Sequence, residues 1–346
     1  MAHVSDAGAT YERLRVRRLV AAEADSPDTS FAEDVRAGLT SEPKRLSPKY
    51  FYDALGSRLF DAICLLPEYY LTRAEDEILT EHADEIINSA GAGALTLLEL
   101  GSGSAVKTRR LVEAALRRQT RLTYVPIDIS ASALEESAHA LLQDYPALRV
   151  EAYASDYESA LSELRRESFE GRVLALFLGS NVGNFRPGEA RELLRSLRRR
   201  ALRPGDALLL GADLKKDKAT LEDAYDDPVG VTSAFNLNLL ARINRELQAD
   251  FDPRRFRHVA RYDEGAGRIE MYLESTRAQT VRIRRLVLEV SFEAGERIHT
   301  ENSHKYDLAE LSRLASDTGF ERARTWLDRQ ERFSSSLFVA VGEESC

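Results

Sequence analysis

An acidic residue and two glycines directly follow an apolar run, a pattern that could hold a ligand against the backbone. Glu99, Gly101 and Gly103 come after the run 94–98 and before a helical pattern. A strand, a glycine turn and a helix in this order aim backbone N–H groups at a bound group. Gly101 permits the tight turn, and Gly103 permits a close approach of the ligand. Val106 stands where a dinucleotide fingerprint has its third glycine, which disfavours a pyrophosphate as the ligand. The alternative to a ligand-binding turn is an ordinary glycine turn without a ligand.

Carboxylates also stand at the ends of the next two predicted strands. Asp128 ends the strand 122–129, where it could accept both hydroxyls of a ribose or cap the helix that follows. Asp156 could accept the amino group of an adenine, and Tyr157 could stack on that base or offer its backbone N–H. Lys107 lies in the first helical turn, where a cation is unfavourable because it opposes the helix dipole. A bound carboxylate would compensate for this charge, and the alternative is a lysine that only faces solvent. Together these residues indicate a nucleoside-like ligand.

Strands and helices alternate from residue 94 to residue 214, which is typical of a parallel sheet. The predicted strands are 95–100, 122–129, 148–154, 172–178 and 207–212, and the helices between them are 107–118, 131–144, 158–166 and 187–201. A helix over 308–318 and strands over 323–328 and 335–341 follow later in the chain. We therefore predict an α/β fold with a seven-stranded, doubly wound, Rossmann-like sheet, in which ligands bind outside the carboxyl ends of the strands.

The alternation stops after residue 214. A helical pattern over 231–247 precedes β-rich segments over 258–263, 268–275 and 280–290. We interpret this region as an inserted α+β substrate-binding domain, which could form a lid together with residues 29–73. The domain prediction therefore has five parts: a flexible N-terminus over 1–28, the N-terminal part of the substrate domain over 29–73, the ligand-binding core over 74–214, the inserted domain over 215–305 and the C-terminal part of the core over 306–346.

Aromatic residues are dense in the segment 47–73. They are Tyr50, Phe51, Tyr52, Phe60, Tyr69 and Tyr70, and two prolines break the segment into short pieces. Aromatic side chains at this density outside a strand either fill a core or line a pocket. The phenol hydroxyls need hydrogen-bond partners, which keeps the pocket interpretation open. A helix over 30–39, with Ser30 as its cap, is predicted before this segment.

The composition narrows the class of protein. The 346 residues are 43% hydrophobic and carry a formal net charge of −9, which disfavours a nucleic acid as partner. Two cysteines are too few for a disulfide framework, and the six histidines have no cysteine or acid at metal spacing, so we expect no metal site. No apolar run reaches the length of a membrane span and no signal peptide is visible, which predicts a cytoplasmic protein without a membrane partner. We expect a monomer that acts on a small molecule.

A second polar cluster follows the fourth predicted strand. Gly179, Asn181, Gly183 and Asn184 crowd the place where a second ligand could lie. The amide of Asn184 offers two donors and an acceptor to such a ligand. Its alternative role is to cap the helix that begins at residue 187.

Seven motifs carry a resemblance to a known family. They are Tyr50-Phe51-Tyr52-Asp53, Leu66-Pro67-Glu68-Tyr69-Tyr70, Glu99-Leu100-Gly101-Ser102-Gly103, Leu178-Gly179-Ser180-Asn181-Val182-Gly183-Asn184, Ala224-Tyr225-Asp226-Asp227, Arg268-Ile269-Glu270-Met271 and Thr300-Glu301-Asn302-Ser303-His304-Lys305. In unbroken order from about residue 34 onward, the chain resembles the L-histidine Nα-methyltransferases of ergothioneine biosynthesis. These are class I methyltransferases that use S-adenosylmethionine (SAM), and the Glu-x-Gly-x-Gly turn is the form that SAM methyltransferases share.

The resemblance implies a role for individual residues. SAM is contacted by Gly101, Lys107, Asp128, Asp156 and Tyr157, and the glycine-turn argument adds Gly103. The catalytic residues beside the substrate amine are Tyr69 and Tyr52. The substrate is further bound by Asn184 and Tyr225 at its carboxylate, by Glu301 and Ser303 at its imidazole ring, by Met271 beside the ring and by Gly179 in the pocket wall. His304, in the same motif as Glu301, is expected to face solvent.

The implied reaction is the transfer of three methyl groups to the α-amine of histidine, which gives hercynine. A sulfonium donor needs no metal, because the enzyme only has to align the nitrogen lone pair and exclude water. The α-ammonium must first lose a proton, and a phenol beside it can orient the amine and pass the proton to water. Tyrosine faces accommodate the cation as methyl groups accumulate. The alternatives are N-methylation of another aromatic amino acid or amine, and a SAM-binding module without catalysis.

Overall fold

The computed structural model describes residues 13–19 and 27–342, and for residues 27–29 the backbone only. Within these ranges the chain forms ten α-helices and thirteen β-strands. The helices are α1 (Pro27–Thr40), α2 (Ala54–Ile63), α3 (Tyr70–Ser89), α4 (Thr108–Arg118), α5 (Ala131–Asp144), α6 (Tyr157–Glu163), α7 (Pro187–Ala201), α8 (Lys218–Asp223), α9 (Val231–Leu247) and α10 (Leu308–Asp317). The strands are β1 (Leu14–Arg18), β2 (Leu95–Leu100), β3 (Leu122–Asp128), β4 (Leu148–Ala154), β5 (Arg172–Phe177), β6 (Ala207–Asp213), β7 (Phe256–Asp263), β8 (Arg268–Ser275), β9 (Gln279–Ile283), β10 (Leu288–Phe292), β11 (Arg297–His304), β12 (Phe320–Leu327) and β13 (Phe333–Ala340). No helix in these ranges has the length and hydropathy that a membrane crossing requires.

The described residues divide into two units of structure. The sheet unit contains residues 13–19, Leu71–Leu214 and residues 306–342. The insertion unit contains residues 27–70 and Lys215–Lys305. The chain therefore leaves the sheet unit after Leu214 and returns to it at Tyr306.

The sheet unit is built on one eight-stranded sheet with the order β1-β4-β3-β2-β5-β6-β13-β12. The first six strands are parallel to their neighbours, and β13 runs antiparallel to both β6 and β12. The predicted doubly wound α/β sheet is confirmed. The strand order reverses between β2 and β5, and the crevice at such a switch point is where open α/β sheets bind ligands.

The central strands are buried on both faces, as their continuous apolar sequences predict. Every residue of β2 and of β6 is buried. Helix α7 adds the apolar stripe Ala190, Leu194, Leu197 and Ala201, whose spacing of three and four residues points all four side chains to the sheet. Burying each leucine contributes about 1.5–3 kcal/mol. This packing gives the carboxyl ends of β2, β3 and β5 a rigid base.

The sheet has one strand more than the predicted seven. Strand β1 lies in the segment 1–28, for which the sequence predicts a flexible terminus, and pairs in parallel with β4. Its sequence alternates two half-buried apolar residues, Leu14 and Val16, with three arginines. Backbone hydrogen bonds supply the pairing of an edge strand, so few apolar side chains are needed. The rest of that terminal segment, residues 1–12 and 20–26, lies outside the described residues.

The insertion unit contains a three-stranded antiparallel sheet, β11-β8-β7, and the two-stranded hairpin of β9 and β10. The single strand predicted over 280–290 is wrong, because the chain reverses at the 3-10 turn Arg284–Leu286. Val287, which follows the turn, has a positive φ of 48°, an unusual conformation for a β-branched residue. The cap predicted at Ser30 is also wrong, since α1 begins at Pro27.

Candidate active site

The predicted site residues divide between the two units. The sheet unit holds Gly101, Gly103, Lys107, Asp128, Asp156, Tyr157, Gly179 and Asn184, and the insertion unit holds Tyr52, Tyr69, Tyr225, Met271, Glu301 and Ser303.

The glycine turn after β2 is fixed by the carboxylate that ends β3. Gly103 N–H donates to Asp128 Oδ2 at 2.8 Å, and Ser130 N–H donates to Asp128 Oδ1 at 2.9 Å. Both Gly101 and Gly103 have positive φ angles, 75° and 50°. Burial raises the pKa of Asp128, while the backbone donors act against that rise. Each carboxylate oxygen keeps a lone pair beyond these bonds, so Asp128 can still accept the hydroxyls of a ligand.

Gly101 faces two side chains that leave no room for a Cβ atom. A Cβ built on Gly101 would lie 2.5 Å from Tyr157 Oη and 2.8 Å from Asn181 Nδ2. The Tyr157 ring is held edge-on against Phe177, with 5.8 Å between ring centroids. The phenol of Tyr157 thus closes over the turn after β2. The sequence alone gives no sign of this contact, because Tyr157 is remote from the turn along the chain.

The two glycines of the turn provide a matched pair of variants. Gly101→Ala should lower the free energy of unfolding by about 2–4 kcal/mol, because it combines left-handed backbone strain with overlap. Gly103→Ala should cost only about 1–2 kcal/mol, since a Cβ at Gly103 meets nothing within 4 Å. Urea unfolding of both variants without ligand measures the difference. Equal losses would show that Tyr157 and Asn181 move aside and do not constrain the turn.

Glu99 ties the start of α4 to the sheet. Its carboxylate accepts from Thr108 Oγ1, the first residue of α4, at 2.8 and 2.9 Å, and from the phenol of Tyr124 on β3. Burial raises the pKa of Glu99 to about 7, and the two hydroxyl donors and the charge of Lys107 act against it. The acid of the Glu-x-Gly-x-Gly motif therefore positions the helix start that faces the ligand crevice.

Glu75 on α3 is a buried acid that sequence reasoning missed. Its carboxylate pairs with the ammonium of Lys107 and accepts Gly179 N–H at 2.9 Å with both oxygens. Lys107 precedes α4 and Gly179 follows β5, so Glu75 joins two predicted ligand-binding segments. Glu75 also supplies the carboxylate that compensates for the positive charge of Lys107 at the start of α4. The sequence does contain an indication that Glu75 is buried, because it lies on the apolar stripe of α3 one turn before Ile78 and Leu79.

Three predicted residues lie at the ends of β4 and β5. The Asp156 carboxylate caps α6 and accepts from Ser159 N–H and Ser159 Oγ, both at 2.9 Å. Gly179 lies beside Lys107, whose Nζ would be 3.6 Å from a Cβ at this position. Asn184 ends the 3-10 helix Asn181–Asn184, and the cap of α7 is Arg186, not Asn184.

The insertion unit contains a buried polar cluster on β11 and just beyond it. Ser303 Oγ and Tyr225 Oη are 2.7 Å apart, and Lys305 Nζ donates to both, at 2.9 and 3.0 Å. The ammonium of Lys305 also lies 4.6 Å from the centroid of the Tyr225 ring. Lys305 is 2% exposed and belongs to the Thr300–Lys305 motif, in which the sequence predicts no role for it. Residues 301, 303 and 305 share one face because side chains alternate along a strand.

Glu301 is a buried carboxylate next to this cluster. It is 9% exposed, and no hydrogen bond to its side chain is found within residues 13–19 and 27–342. Burial raises the pKa of Glu301 to about 7, and the positive charge of Lys305 acts against the rise. The antiparallel register places Met271 of β8 directly opposite Glu301. A buried acceptor with no hydrogen-bond partner in the described ranges is suited to a ligand that brings its own N–H donor.

Aromatic rings connect the tyrosines of the insertion unit. Phe60 contacts both Tyr52 and Tyr69, with centroid distances of 5.6 and 6.2 Å, and Tyr69 meets Tyr225 edge-on at 6.0 Å. Burial, followed by the nearby phenol of Tyr225, raises the pKa of Tyr69 well above its usual value. Tyr69 is therefore a neutral phenol at physiological pH, able to donate and accept a hydrogen bond.

Tyr225 is held in place through its backbone by His258 and Asn236. His258 Nε2 donates to the Tyr225 carbonyl at 2.8 Å, and Asn236 Nδ2 donates to His258 Nδ1 at 2.9 Å. A carbonyl only accepts, which fixes the proton on Nε2. Burial lowers the pKa of His258 and so favours this neutral form.

His304 does not face solvent as expected. It is 6% exposed, because both faces of β11 are covered at this position. All residues from Thr300 to Lys305 are polar. Without alternation between apolar and polar residues, the sequence does not show which side chains of the strand are buried.

Comparison with known proteins identifies the family. A family model described as "Histidine-specific methyltransferase, SAM-dependent" matches residues 31–340. Histidine N-alpha-methyltransferase of Mycolicibacterium smegmatis is 46% identical over 316 residues, which are 91% of this chain and 97% of that protein. The protein of the same name from Mycobacterium tuberculosis is 45% identical over 313 residues, 90% of this chain and 96% of that protein. Ergothioneine biosynthesis protein 1 of Neurospora crassa is 32% identical over 312 residues, which span 86% of this chain but only 35% of that protein. The chain therefore belongs to the family of histidine-specific, SAM-dependent methyltransferases.

Proposed function

We propose that this enzyme transfers three methyl groups from SAM to the α-amine of free L-histidine and so forms hercynine, the first step of ergothioneine biosynthesis. The observation that carries the proposal is the buried Glu301 beside the hydroxyl of Ser303. A carboxylate and a hydroxyl together match the two nitrogens of an imidazole ring. The names and high coverage of the two mycobacterial relatives support the same substrate.

The sheet unit fits the methyl donor. Asp128 retains acceptor capacity for a ribose, and the glycine turn is open at Gly103, where a Cβ would meet no atom within 4 Å. Two apolar side chains flank this turn in exposed positions, Val106 at 63% and Ile129 at 45%, and an adenosyl group could cover them. We assign Gly101, Gly103, Lys107, Asp128, Asp156 and Tyr157 to SAM. When bound, SAM supplies a methyl group on a positively charged sulfur.

We assign the amino acid to the remaining residues. Glu301 accepts an imidazole N–H, Ser303 serves the other ring nitrogen, and Met271 packs beside the ring. Asn184 and Tyr225 bind the carboxylate, and Gly179 lines the pocket. A site that hydrogen-bonds both ring nitrogens rejects rings that lack them, because its buried groups would be left unpaired.

We assign the amine to Tyr69 and Tyr52. Since its pKa is raised, Tyr69 cannot serve as a phenolate base at neutral pH. It orients the amine as a neutral phenol and passes the released proton to water. The rings of Tyr52, Phe60 and Tyr69 form an aromatic surface on which an increasingly methylated ammonium is favourable.

Incubation with SAM and L-histidine tests the proposal directly. We expect a product whose mass exceeds that of histidine by three methyl increments, detected by mass spectrometry. A product with another aromatic amino acid or amine, and none with histidine, would move the enzyme to a sister specificity. No turnover with any amino acid would leave a SAM-binding module without catalysis. The monomeric state and the cytoplasmic location also remain predictions.

A further inference from the structure

A buried acid lies against a glycine in the interior of the sheet. Glu75 on α3 is fully buried, and its Oε1 would overlap a Cβ atom built on Gly211 of β6. Gly211 does not have a left-handed φ, so its backbone does not require a glycine. The missing side chain therefore admits the carboxylate of Glu75 to the surface of the sheet.

The carboxylate held in this place is ionised. Both oxygens of Glu75 accept Gly179 N–H at 2.9 Å, and one of them also pairs with the ammonium of Lys107. Hydrogen bonds and a nearby cation both favour the charged form of a carboxyl group. Glu75 and Lys107 therefore form a pair without net charge, and both residues belong to the sheet unit.

The pair borders the crevice at the carboxyl ends of the parallel strands. Lys107 directly precedes α4, and its side chain is 24% exposed, whereas that of Glu75 is 0% exposed. The ammonium is thus the part of the pair that a ligand can reach. Lys107 is assigned to SAM because a cation suits a carboxylate, and only three carbon atoms separate the carboxylate of SAM from its positive sulfur.

We propose that Glu75 is a positioning residue that neutralises the charge of Lys107, so that this ammonium serves the carboxylate of SAM without repelling the positive sulfur. Glu75 thereby sets the preference of the enzyme for the methyl donor over its product, S-adenosylhomocysteine, whose sulfur is uncharged. Unit charges this close change a binding constant several-fold even near a protein surface. The inference rests on the proposed assignment of Lys107 to SAM and adds a residue that discriminates between donor and product.

The ratio of the dissociation constants of S-adenosylhomocysteine and SAM isolates this effect. The two molecules share their adenosine and amino acid parts, so a loss of shape or stability weakens both and cancels in the ratio. Calorimetric titration at a pH of about 8 keeps Glu99 mostly ionised, since its pKa is about 7. Glu75→Gln keeps an acceptor for Gly179 N–H but removes the negative charge, and it should lower the preference for SAM about five- to tenfold.

Removing the cation should reverse this loss. The double variant Glu75→Gln with Lys107→Met carries neither charge and should return to the preference of the unaltered enzyme within about twofold, although both ligands bind more weakly. The unfolding midpoint of each variant shows whether it is folded. If Glu75→Gln does not fold, Lys107→Met alone carries the test. Its preference for SAM should rise at least about twofold, because the charge of Glu75 then attracts the positive sulfur without compensation.

Asp76→Asn is the matched control. Asp76 is the next residue of α3 and pairs with Arg110 of α4 through two hydrogen bonds, at 2.8 and 2.9 Å. Its side chain is 38% exposed, so water and salt screen the same change in charge. This variant should keep the preference for SAM within about twofold of the unaltered enzyme.

An unchanged preference in folded Glu75→Gln would overturn the inference while histidine methylation stands. A double variant that loses as much as Glu75→Gln would also overturn it, since Lys107 would then not transmit the effect. An equal loss in Asp76→Asn would do the same, because any acid removed from α3 would have that effect. If Lys107→Met binds both ligands as the unaltered enzyme does, the assignment of Lys107 to SAM fails together with this inference.

Discussion

Changing Glu301 to alanine should weaken the binding of L-histidine about 100-fold and leave the affinity for S-adenosylhomocysteine within about twofold. The carboxylate is buried on β11 and has no hydrogen-bond partner within the described ranges, so its acceptor capacity is left for a ligand. Removing it leaves the ring N–H of histidine buried and unpaired, which is the costly outcome for a polar group. Calorimetric titration with each ligand separately measures both affinities.

Glu274→Ala is the control for this variant. Glu274 lies on the neighbouring strand β8 and is 7% exposed, nearly the same burial as Glu301 at 9%. Its carboxylate is already held by Arg257 and Arg297, both at 2.8 Å. We expect this change to lower stability and to leave histidine affinity nearly unaltered. If Glu301→Ala weakened both ligands equally, Glu301 would be a structural residue of the insertion unit.

The pH dependence of binding gives Glu301 a second signature. Its pKa is raised to about 7, and the ionised form is the one that accepts a ring N–H. Protonation therefore competes with histidine, and affinity should fall as the pH is lowered from about 8 to about 6. Free histidine protonates its own ring in the same range and acts in the same direction. Glu301→Ala retains only the contribution of the ring, so its affinity should depend less steeply on pH.

The elements that position the site follow from local sequence patterns. The bounds of β2 and β4 agree with prediction. Strand β2 is marked by the mostly apolar run before the glycine turn, and β4 by apolar residues that alternate with Arg149 and Glu151. The reversal between β9 and β10 could not be predicted in the same way. Its turn at Arg284–Leu286 contains no glycine, proline or asparagine, and Val287 takes the positive φ.

The distant partners of buried charged side chains are the part of the site that the sequence hides. Glu75 meets Gly179 across a separation of 104 residues, and Lys305 meets Tyr225 across 80. Helix and strand periodicity place a residue on a face but do not identify its partner on a distant element. A charged residue on an apolar stripe is therefore the useful signal: Glu75 on α3 and Lys305 after β11 both stand at buried positions of their elements.

Changing Asp128 to alanine should lower SAM affinity about 100-fold or more, the largest effect we expect in the sheet unit. The variant removes the acceptor proposed for the ribose hydroxyls. It also leaves the N–H groups of Gly103 and Ser130 without the partner that shapes the glycine turn. The SAM affinity of Asp128→Asn should lie between that of the unaltered enzyme and that of Asp128→Ala. The amide oxygen can accept from one backbone donor, while the NH2 group opposes the other.

Asp144→Ala controls for the loss of a carboxylate from the same unit. Asp144 is half-exposed at the end of α5 and pairs with Arg109 on α4, so its removal should leave SAM affinity within about twofold. Equilibrium titration with SAM, together with the unfolding midpoint of each variant, separates lost contacts from lost fold. Asp128→Ala and Glu301→Ala should give opposite patterns, the first losing SAM and the second losing histidine. SAM affinity that survives in Asp128→Ala would contradict the assignment of the glycine turn to the methyl donor, since no other carboxylate in the described ranges bonds the N–H of Gly103.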